Sequence, residues 1–412
     1  MAETNNNKSA TCGVWIAGAK GDIATTLIVG ARAIAQGLTS STGLVTELAP
    51  LNGLPLPALQ DLVFGGVDIS PQSMRESAKS LYANSRTVSR EVLDAVASDL
   101  DEIEKDVLVA PQLAWHPAQR APAQASLKDN ALRLRAAISA FRRKHRLQRL
   151  VVINLTSAEP EPAVVAEQAS VEGLESLIAA DRRDAVTPAM LYAYAALHEG
   201  CAYINFTPNV GTTLECIRAL ARRQRLPFYG DDGKTGETLV KTALAPMFAA
   251  RNLHVLSWEG VNMLGNNDGK SLSVPENRVP KIRNKGKVLQ GMLGYEPHGD
   301  VQINYVPSLG DWKTAWDLIH FQGFLDVKMS MQFTWQGCDS VLAAPLVLDM
   351  ARLSALALHK REVGPMRHLA AFFKNPIDVD EMALWPQFES LLRYAERHLG
   401  EAGRDQIVQS RA

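Results

Sequence analysis

The sequence predicts an α/β fold in which a doubly wound parallel sheet precedes a second, α+β domain. Up to residue 236, short apolar runs typical of strands alternate with stretches of helical spacing, as in parallel sheets covered by helices. After about residue 240, strand-like runs follow one another with few helices between them, at 253–262, 301–306 and 327–334. That change of pattern indicates a mixed sheet.

The domain boundaries follow from these patterns. A chain of 412 residues is long enough for two or three domains. We expect a disordered polar tail, a parallel-sheet domain, a mixed-sheet domain and a helical C-terminal segment, at 1–10, 11–240, 241–353 and 354–412 respectively. Helical spacing near the C-terminus predicts helices at 338–353 and 386–400.

Composition and charge are those of an ordinary globular protein. Hydrophobic residues make up 46% of the chain, charged residues 21%, and the net charge is −1, so no overall field attracts nucleic acid or a membrane surface. The polar N-terminus has no signal-peptide pattern, and no apolar run reaches the roughly 18 residues of a membrane helix. The four scattered cysteines lack the spacing of a disulfide framework or zinc site. We therefore expect a reduced, cytoplasmic protein without a metal site.

The first predicted strand leads directly into a glycine turn and a helix. Residues 13–18, GVWIAG, are followed by AKGDIATTL, which gives the pattern Gly18-x-x-Gly21-x-x-Ala24. Gly18 permits a sharp turn, Gly21 allows close approach of a pyrophosphate, and Ala24 lets the helix pack near the strand. The helix N-terminus offers N–H groups to an anion, with Thr25 as a further hydroxyl donor. The pattern indicates a Rossmann-like dinucleotide site, although a plain βα turn explains it equally well.

The second predicted strand, at 62–69, contains Asp68 at its end. An acid there binds the adenosine ribose hydroxyls in dinucleotide-binding folds. The alternative is that Asp68 caps a helix starting at Ser70. Residues 71–146 are then mainly helical in pattern.

Polar residues follow later predicted strands, where parallel sheets bind ligands. The strand at 150–155 precedes Thr156 and Ser157, and the strand at 202–205 precedes FTPN. A further strand, at 227–230, precedes the sequence DDGKTG. The intervening stretches predict helices at 161–180, 187–198 and 212–224.

A basic, loop-forming segment lies at 262–287. It carries six cations against two acids, Asp268 and Glu276, and its NND triplet lies between Gly265 and Gly269. This composition fits a solvated surface loop as well as an anion-binding loop.

Several sequence blocks, in the same order, resemble the myo-inositol-1-phosphate synthase family. The most specific is LGNNDGKSLS at 264–273 followed by PKIRNKGKV, in which the family's two lysines four apart fall on Lys281 and Lys285. The other blocks are GDDGKTG at 230–236, YVPSLGDWKTAWD at 305–317, CDSVLAAPLVLDM at 338–350, FFKNP at 372–376 and GGVDI at 65–69. The resemblance covers most of residues 12–376.

The resemblance implies a redox-neutral cyclisation of D-glucose 6-phosphate to 1L-myo-inositol 1-phosphate. The C5 hydroxyl is oxidised, an enolate attacks C1, and C5 is reduced back, so NAD is tightly held and recycled. The resemblance also implies that 11–240 binds NAD, that 241–353 serves catalysis and assembly into a homotetramer, and that 354–412 packs back on the first domain and contributes Lys374. A monovalent or divalent cation is left open as a further cofactor, and no nucleic acid or membrane partner is expected.

By the same resemblance, the catalytic residues are Lys281, Lys285, Lys313, Lys374, Asp232 and Asp268. Clustered lysines suit a phosphate monoester and developing oxyanions. Lys281 and Lys374 are expected at the oxygens that change charge, and Lys285 and Lys313 nearer the phosphate and enolate. The substrate-binding residues are Gly265, Asn266, Asn267, Lys285 and Lys313. The NAD-binding residues are Gly18, Lys20, Gly21, Asp22, Ile23, Ala24, Thr25, Asp68, Thr156, Ser157, Asp232, Asp311 and Asp339.

Four positions depart from the family pattern, and one of them is Lys20, which replaces a glycine. Asp22 places an acid where phosphates approach a helix N-terminus, and Lys20 is expected to offset it. Val67 replaces a tryptophan, and Cys338 replaces a glutamate. These departures leave two alternatives open: a related NAD-dependent cyclase acting on another sugar phosphate, or a non-catalytic regulator that binds NAD or a sugar phosphate.

Overall fold

The computed structural model describes residues 11–114, 125–265 and 288–400. Its first sheet contains β1 (Cys12–Ala17), β2 (Leu62–Asp68), β3 (Val107–Val109), β4 (Arg149–Asn154), β5 (Ala202–Asn205), β6 (Pro227–Tyr229) and β11 (Gly364–Pro365). These seven strands are parallel and are ordered β11-β6-β5-β4-β1-β2-β3. The chain order reverses between β1 and β4, which is where doubly wound sheets bind ligands.

Helices surround this sheet, except for the ninth, which packs against the second sheet. Their bounds are α1 (Asp22–Ala35), α2 (Met74–Ser85), α3 (Arg90–Ala95), α4 (Ala97–Glu104), α5 (Leu127–Lys144), α6 (Val171–Ala179), α7 (Pro188–His198), α8 (Glu215–Gln224), α9 (Gly236–Ala250), α10 (Asp339–His359) and α11 (Leu384–His398). All residues of β1 and β5 are buried. Burial of consecutive residues means that both faces of the sheet are covered, which confirms the predicted doubly wound architecture.

Local sequence signals explain where several helices begin. Ser73 caps α2 in a capping box with Glu76, and Ser126 caps α5 in the same way with Asp129. Since Ser73 is the N-cap of α2, the alternative that Asp68 caps a helix from Ser70 is wrong.

The second sheet contains β7 (His254–Leu264), β8 (Val301–Tyr305), β9 (Trp312–Gln322) and β10 (Lys328–Cys338), ordered β10-β9-β7-β8. The pair β7–β8 is parallel and the other pairs are antiparallel. Burial alternates along β7 and β9, because one face packs against Ala245 and Phe248 of α9. The predicted mixed second sheet is therefore present.

Three strands differ from the sequence-based expectation. β3 lies within the stretch 71–146 that was expected to be mainly helical, β9 was missing from the predicted strand runs, and β11 lies in the C-terminal segment expected to be helical. Two of these strands have only two or three residues, too short to show periodicity. β9 carries Lys313 and Asp317 among its apolar residues, which obscured its alternation.

α10 is a central helix of the first domain. It packs against α1 and against β4, β5 and β6, so the boundary predicted at residue 353 falls inside a helix that belongs to the first core. By length and composition α10 resembles a membrane span. Its most apolar stretch of 18 residues has a mean hydropathy of 1.8, but 72% of that stretch is buried within the protein. The expectation that no apolar run is long enough to cross a membrane is therefore corrected. The apolar composition of α10 is explained by its burial in the core of the first domain.

Candidate active site

A cleft of about 200 Å³ opens at the carboxyl ends of β1, β4 and β5. It is lined by residues 21–24 after β1, 155–158 after β4 and 206–208 after β5. Its other wall comes from later in the chain and includes Asp232, Gly233, Thr235, Asp311, Asp339, Ser340, Ala343 and Lys374. The cleft therefore joins the switch point of the parallel sheet to the second domain and the C-terminal segment.

The glycine turn between β1 and α1 presents a helix N-terminus to this cleft. Gly18 has a φ of 84°, and a Cβ there would lie 3.0 Å from the carbonyl oxygen of Leu155. The N–H groups of Gly18 and Ala19 donate to the carbonyl oxygen of Val67. Gly21 is the N-cap of α1 and provides no side-chain cap. The first-turn N–H groups of α1 are thus available to an anion such as a diphosphate.

Asp22 is the first residue of α1 and lies in the cleft. Burial, assisted by the carboxylate of Asp311, raises the pKa of Asp22 to about 6. A neutral carboxyl group repels an anion much less than a carboxylate does. Protonation of Asp22 would therefore make this helix N-terminus more favourable to an anion.

Lys20 does not offset Asp22 in the way expected from the sequence. Its ammonium lies 2.9 Å from Glu104 Oε1 and 3.5 Å from the carbonyl oxygen of Ser70. Its backbone N–H donates to Asp68 Oδ2 at 2.8 Å. The charge of Lys20 is consequently matched by Glu104, outside the lining of the cleft.

Asp68 supports the glycine turn. Its Oδ2 accepts from the backbone of Lys20, and its Oδ1 accepts from the N–H of Ser70 at 2.8 Å. Gly18, Lys20, Thr25 and Asp68 do not themselves line the cleft. Thr25 is fully buried in α1, and its hydroxyl finds no hydrogen-bond partner in the described ranges. Of the predicted NAD-binding residues, those in the cleft are Gly21, Asp22, Ile23, Ala24, Thr156, Ser157, Asp232, Asp311 and Asp339.

Lys374 and Asp232 form an ion pair in the cleft. Lys374 Nζ lies 2.9 Å from Asp232 Oδ1, with both side chains largely buried. The backbones of the two segments pair as well. The N–H of Lys374 donates to the carbonyl oxygen of Asp232 at 2.7 Å, and Gly233 forms an antiparallel β-bridge with Phe373. The ring of Phe206 occupies the place of a side chain at Gly233, because a Cβ there would lie 2.1 Å from it. This short antiparallel ladder holds the ammonium of Lys374 and the carboxylate of Asp232 at the carboxyl edge of the parallel sheet.

Asp311 is held by donors from the start of α10. Cys338 Sγ donates to Asp311 Oδ2 at 2.8 Å, and Ser340 Oγ donates to the same oxygen. Burial and the bond to Asp311 raise the pKa of Cys338 to about 11, so the thiol keeps its proton and remains a donor. The departure at Cys338 thus replaces an expected acid with a neutral donor to Asp311.

Lys313 lies over the first turn of α9. A Cβ at Gly236 would be 3.4 Å from Lys313 Nζ, and Gly236 itself has a φ of 56°. The N-cap residue Thr235 makes no side-chain cap bond, and its hydroxyl donates to Asp339 Oδ1 at 3.3 Å. A lysine beside an uncapped helix N-terminus favours an anion.

Several predicted site residues lie outside the described residues. They are Asn266, Asn267, Asp268, Lys281 and Lys285. Gly265, the last described residue before them, packs against the backbone of Gly310, where a Cβ would lie 2.5 Å from the nitrogen. It therefore joins the end of β7 to the loop before Lys313.

Several cleft residues had no role assigned from the sequence. Phe206, Thr207 and Pro208 line the cleft after β5, in the FTPN sequence that follows a predicted strand but was not included among the site residues. Thr235 and Ser340 belong to recognised blocks but had no assigned role. Lys234, in the same block as Asp232, is 2% exposed and donates to Gln387 Oε1 at 2.5 Å.

The strand order, the glycine turn and the uncapped α1 are those of a Rossmann-type dinucleotide-binding fold. The family model described as myo-inositol-1-phosphate synthase, an NAD-binding family, matches residues 12–393. The chain belongs to the myo-inositol-1-phosphate synthase family, which confirms the resemblance seen in the sequence.

Individual relatives agree with this family. Inositol-3-phosphate synthase 1 of Bacteroides thetaiotaomicron is 31% identical over 424 residues, which span 96% of this chain and 97% of that protein. The inositol-3-phosphate synthase of Trypanosoma brucei brucei is 31% identical over 78% of this chain and 64% of its own length. A crystal structure of inositol-3-phosphate synthase from Caenorhabditis elegans has the same fold, with a TM-score of 0.83 at 24% identity, covering 95% of this chain and 87% of that one.

Proposed function

We propose that this protein converts D-glucose 6-phosphate to 1L-myo-inositol 1-phosphate without net oxidation, as an isomerase that uses NAD catalytically. Family membership and the names of the relatives support the reaction. The observation that carries the proposal is the Lys374–Asp232 ion pair, in the same cleft as the uncapped N-terminus of α1. A dinucleotide bound at α1 would then lie in the same cleft as the ion pair proposed to transfer protons.

NAD would be held by the first turn of α1 and the strand ends that carry Thr156 and Ser157. When bound, it supplies a reversible hydride acceptor for C5 of the sugar. The protein's own residues would orient the bound NAD and set the charge around it. Asp311 and Asp339 line the cleft beside Asp22. Ser340 donates a hydrogen bond to Asp311, and Thr235 donates one to Asp339.

The sugar phosphate would bind with its phosphate at the first turn of α9. Lys313 lies beside that turn, and an ammonium group together with helix N–H groups matches a phosphate monoester. The sugar ring would then extend toward Lys374. We assign Gly265, Asn266, Asn267 and Lys285 to the same substrate.

Lys374 would act at the sugar oxygen that changes charge. Its ammonium donates a hydrogen bond or a proton as that oxygen becomes an oxyanion, and Asp232 keeps it oriented. Lys281 would assist at the second such oxygen, and Asp268 would orient these lysines. Ring closure is then an intramolecular aldol step in which the C6 enolate attacks C1.

The test is direct. Purified protein with NAD⁺ and D-glucose 6-phosphate should give inositol phosphate by ³¹P and ¹H NMR, and absorbance at the NADH wavelength should not rise steadily. Deuterium at C5 of the substrate should remain in the product, because the hydride returns to the carbon that it left. No inositol phosphate from glucose 6-phosphate, with turnover of another sugar phosphate, would support the related-cyclase alternative instead.

We also propose that the protein is a cytoplasmic homotetramer assembled through the second sheet. β10 is an edge strand, and the turn before it exposes Phe324 and Leu325, which are 88% and 78% exposed. Such apolar surface favours association. Light scattering of the native protein and of a Phe324→Ser variant tests this.

A cation cofactor stays a prediction, since the described ranges contain no group of three or more metal-binding side chains.

A further inference from the structure

A cluster of buried charges lies between α9 and the second sheet. Glu237, Lys241 and Asp317 are 2%, 3% and 0% exposed. Lys241 Nζ lies 2.5 Å from Glu237 Oε1, and Asn262 Nδ2 donates to the other carboxylate oxygen. Trp258 Nε1 donates to Asp317 Oδ1 at 2.8 Å. We call Glu237, Lys241 and Asp317 the buried triad.

A glycine on β7 makes room for the buried triad. Gly260 pairs with Asp317 in the β7–β9 register. A Cβ at Gly260 would lie 2.6 Å from Glu237 Oε1 and 3.3 Å from Asp317 Oδ1. Both carboxylates therefore approach the same point of the β7 backbone, and a larger residue there would push Glu237 away.

The buried triad adjoins the turn of α9 to which the phosphate is assigned. Glu237 directly follows Gly236, and Asp317 lies on the same face of β9 as Lys313, because side chains four residues apart on a strand share a face. Lys313 pairs with Leu264 in the β7–β9 register, two residues after Asn262. The Glu237–Asn262 contact thus joins the first turn of α9 to β7, and the Trp258–Asp317 contact joins β7 to β9, the strand that carries Lys313.

Burial of this triad contributes little to stability by itself. Desolvating a carboxylate–ammonium pair costs about as much as the attraction returns. Its contacts instead fix the position of α9 relative to β7, because the Glu237 carboxylate accepts a hydrogen bond from Asn262 Nδ2.

We propose that the buried triad is a positioning device for the phosphate-binding part of the site. It holds the first turn of α9 and the ammonium of Lys313 at the spacing that a phosphate monoester bridges. This inference rests on the proposed function in one respect, the assignment of the phosphate to that turn. Glu237, Lys241 and Asp317 are positioning residues and do not contact the substrate.

Three variants test the proposal with perturbations of different kinds. Glu237→Gln removes one charge, Gly260→Ala displaces Glu237 sterically, and Asn262→Ser removes one donor without altering any charge. The matched control is Gly30→Ala, because Gly30 lies in α1 and a Cβ there would meet nothing within 4 Å. Melting temperatures establish that each variant is folded. If Glu237→Gln and Gly260→Ala do not fold, the test rests on Asn262→Ser, which is the mildest change.

The expected result is a separation of two affinities. For each folded variant, KM for the sugar phosphate and the inhibition constant of inorganic phosphate should rise about tenfold, with kcat changed less than about threefold. The Kd of NAD, measured by calorimetry, should stay within about twofold of the wild-type value, as should every constant of Gly30→Ala.

Two outcomes would overturn the inference. One is a parallel loss of NAD affinity, which would mean general loosening of the fold, and the other is an unchanged KM in folded variants. Lys313→Ala separates this failure from failure of the proposed function. If Lys313→Ala leaves phosphate inhibition intact, the phosphate assignment is wrong, whereas loss in Lys313→Ala but not in the triad variants refutes only the positioning role.

Discussion

Lys374 Nζ donates to Asp232 Oδ1 across 2.9 Å while the backbone N–H of Lys374 donates to the carbonyl oxygen of Asp232. The side-chain pair is therefore set by a backbone pair between two segments that are 142 residues apart in sequence. Because the backbone contact survives a change of either side chain, substitutions at this pair should alter the chemistry more than the fold.

Lys374→Ala should lower kcat by about 10²- to 10⁴-fold, the usual range for loss of a proton-transfer group. NAD affinity should change little, since the α1 turn is untouched. Arg367→Ala is the matched control, because Arg367 is a nearby cation paired with Asp378 at the surface. Steady-state kinetics with NMR detection of product checks this, and near-normal kcat in Lys374→Ala would contradict the assigned role.

Asp22→Asn should tighten NAD binding at pH 8 by about tenfold and remove most of its pH dependence. Burial and Asp311 raise the pKa of Asp22 to about 6, so the wild-type residue is a carboxylate at pH 8 and increasingly neutral below pH 6. Removal of a like charge near a diphosphate is worth roughly 1 kcal/mol or more. Calorimetric titration of NAD at pH 5.5 to 8 measures this.

The wild-type protein in the same series should bind NAD more tightly as the pH falls through 6. Asp184→Asn serves as control, since Asp184 is an exposed acid paired with Arg182. Equal pH dependence in wild type and Asp22→Asn would show that another group controls the affinity.

Lys313→Ala should raise KM for the sugar phosphate by about 10²-fold, because a charge-assisted hydrogen bond to phosphate is lost. Gly236→Ala should act in the same direction for a different reason. Its φ of 56° is strained for any L residue, and its Cβ would meet the lysine ammonium. Initial rates and inhibition by inorganic phosphate measure both effects, and an unchanged KM in Lys313→Ala would contradict the placement.

Asp231→Asn should make thermal stability less dependent on pH. Burial raises the pKa of Asp231 to about 7 although Thr212 and Asn205 donate to it. A raised carboxyl pKa favours the folded state below the unfolded value of about 4, and this contribution is lost as the pH rises through 7. The melting temperature of the wild type should therefore fall between pH 6 and 8 more steeply than that of Asp231→Asn.

That comparison is made by calorimetry at several pH values. Asp349→Asn is a useful second variant, because burial raises the pKa of Asp349 only to about 6 and its effect should appear at lower pH. Identical slopes in wild type and Asp231→Asn would show that Asp231 is ionised in the folded protein throughout.

Much of the architecture could be read from the sequence, because its signals are local. The run ending in Gly18 showed a strand and a turn, and the apolar run before Thr156 showed a buried parallel strand. β11 could not be found this way. Gly364 and Pro365 are a strand only because β6 lies beside them, and such pairing depends on the tertiary fold.

The site was predictable in its residue types but not in its pairings. Asp232 and Lys374 belong to recognised blocks, yet their ion pair depends on how the C-terminal segment returns to β6. The thiol donor at Cys338 was visible only as a departure from a pattern, and its partner Asp311 comes from another element. Long-range contacts of this kind have no signature in the spacing of residues.

The burial of α10 has a consequence for synthesis of the chain on the ribosome. Its packing partners α1, β4, β5 and β6 all precede it in the sequence. The surface that receives this apolar helix is thus already synthesised when residues 339–359 emerge, whereas β11 and α11 come later. Vectorial folding from the N-terminus can cover the helix early, which limits its exposure to aggregation and to the machinery that captures apolar nascent helices.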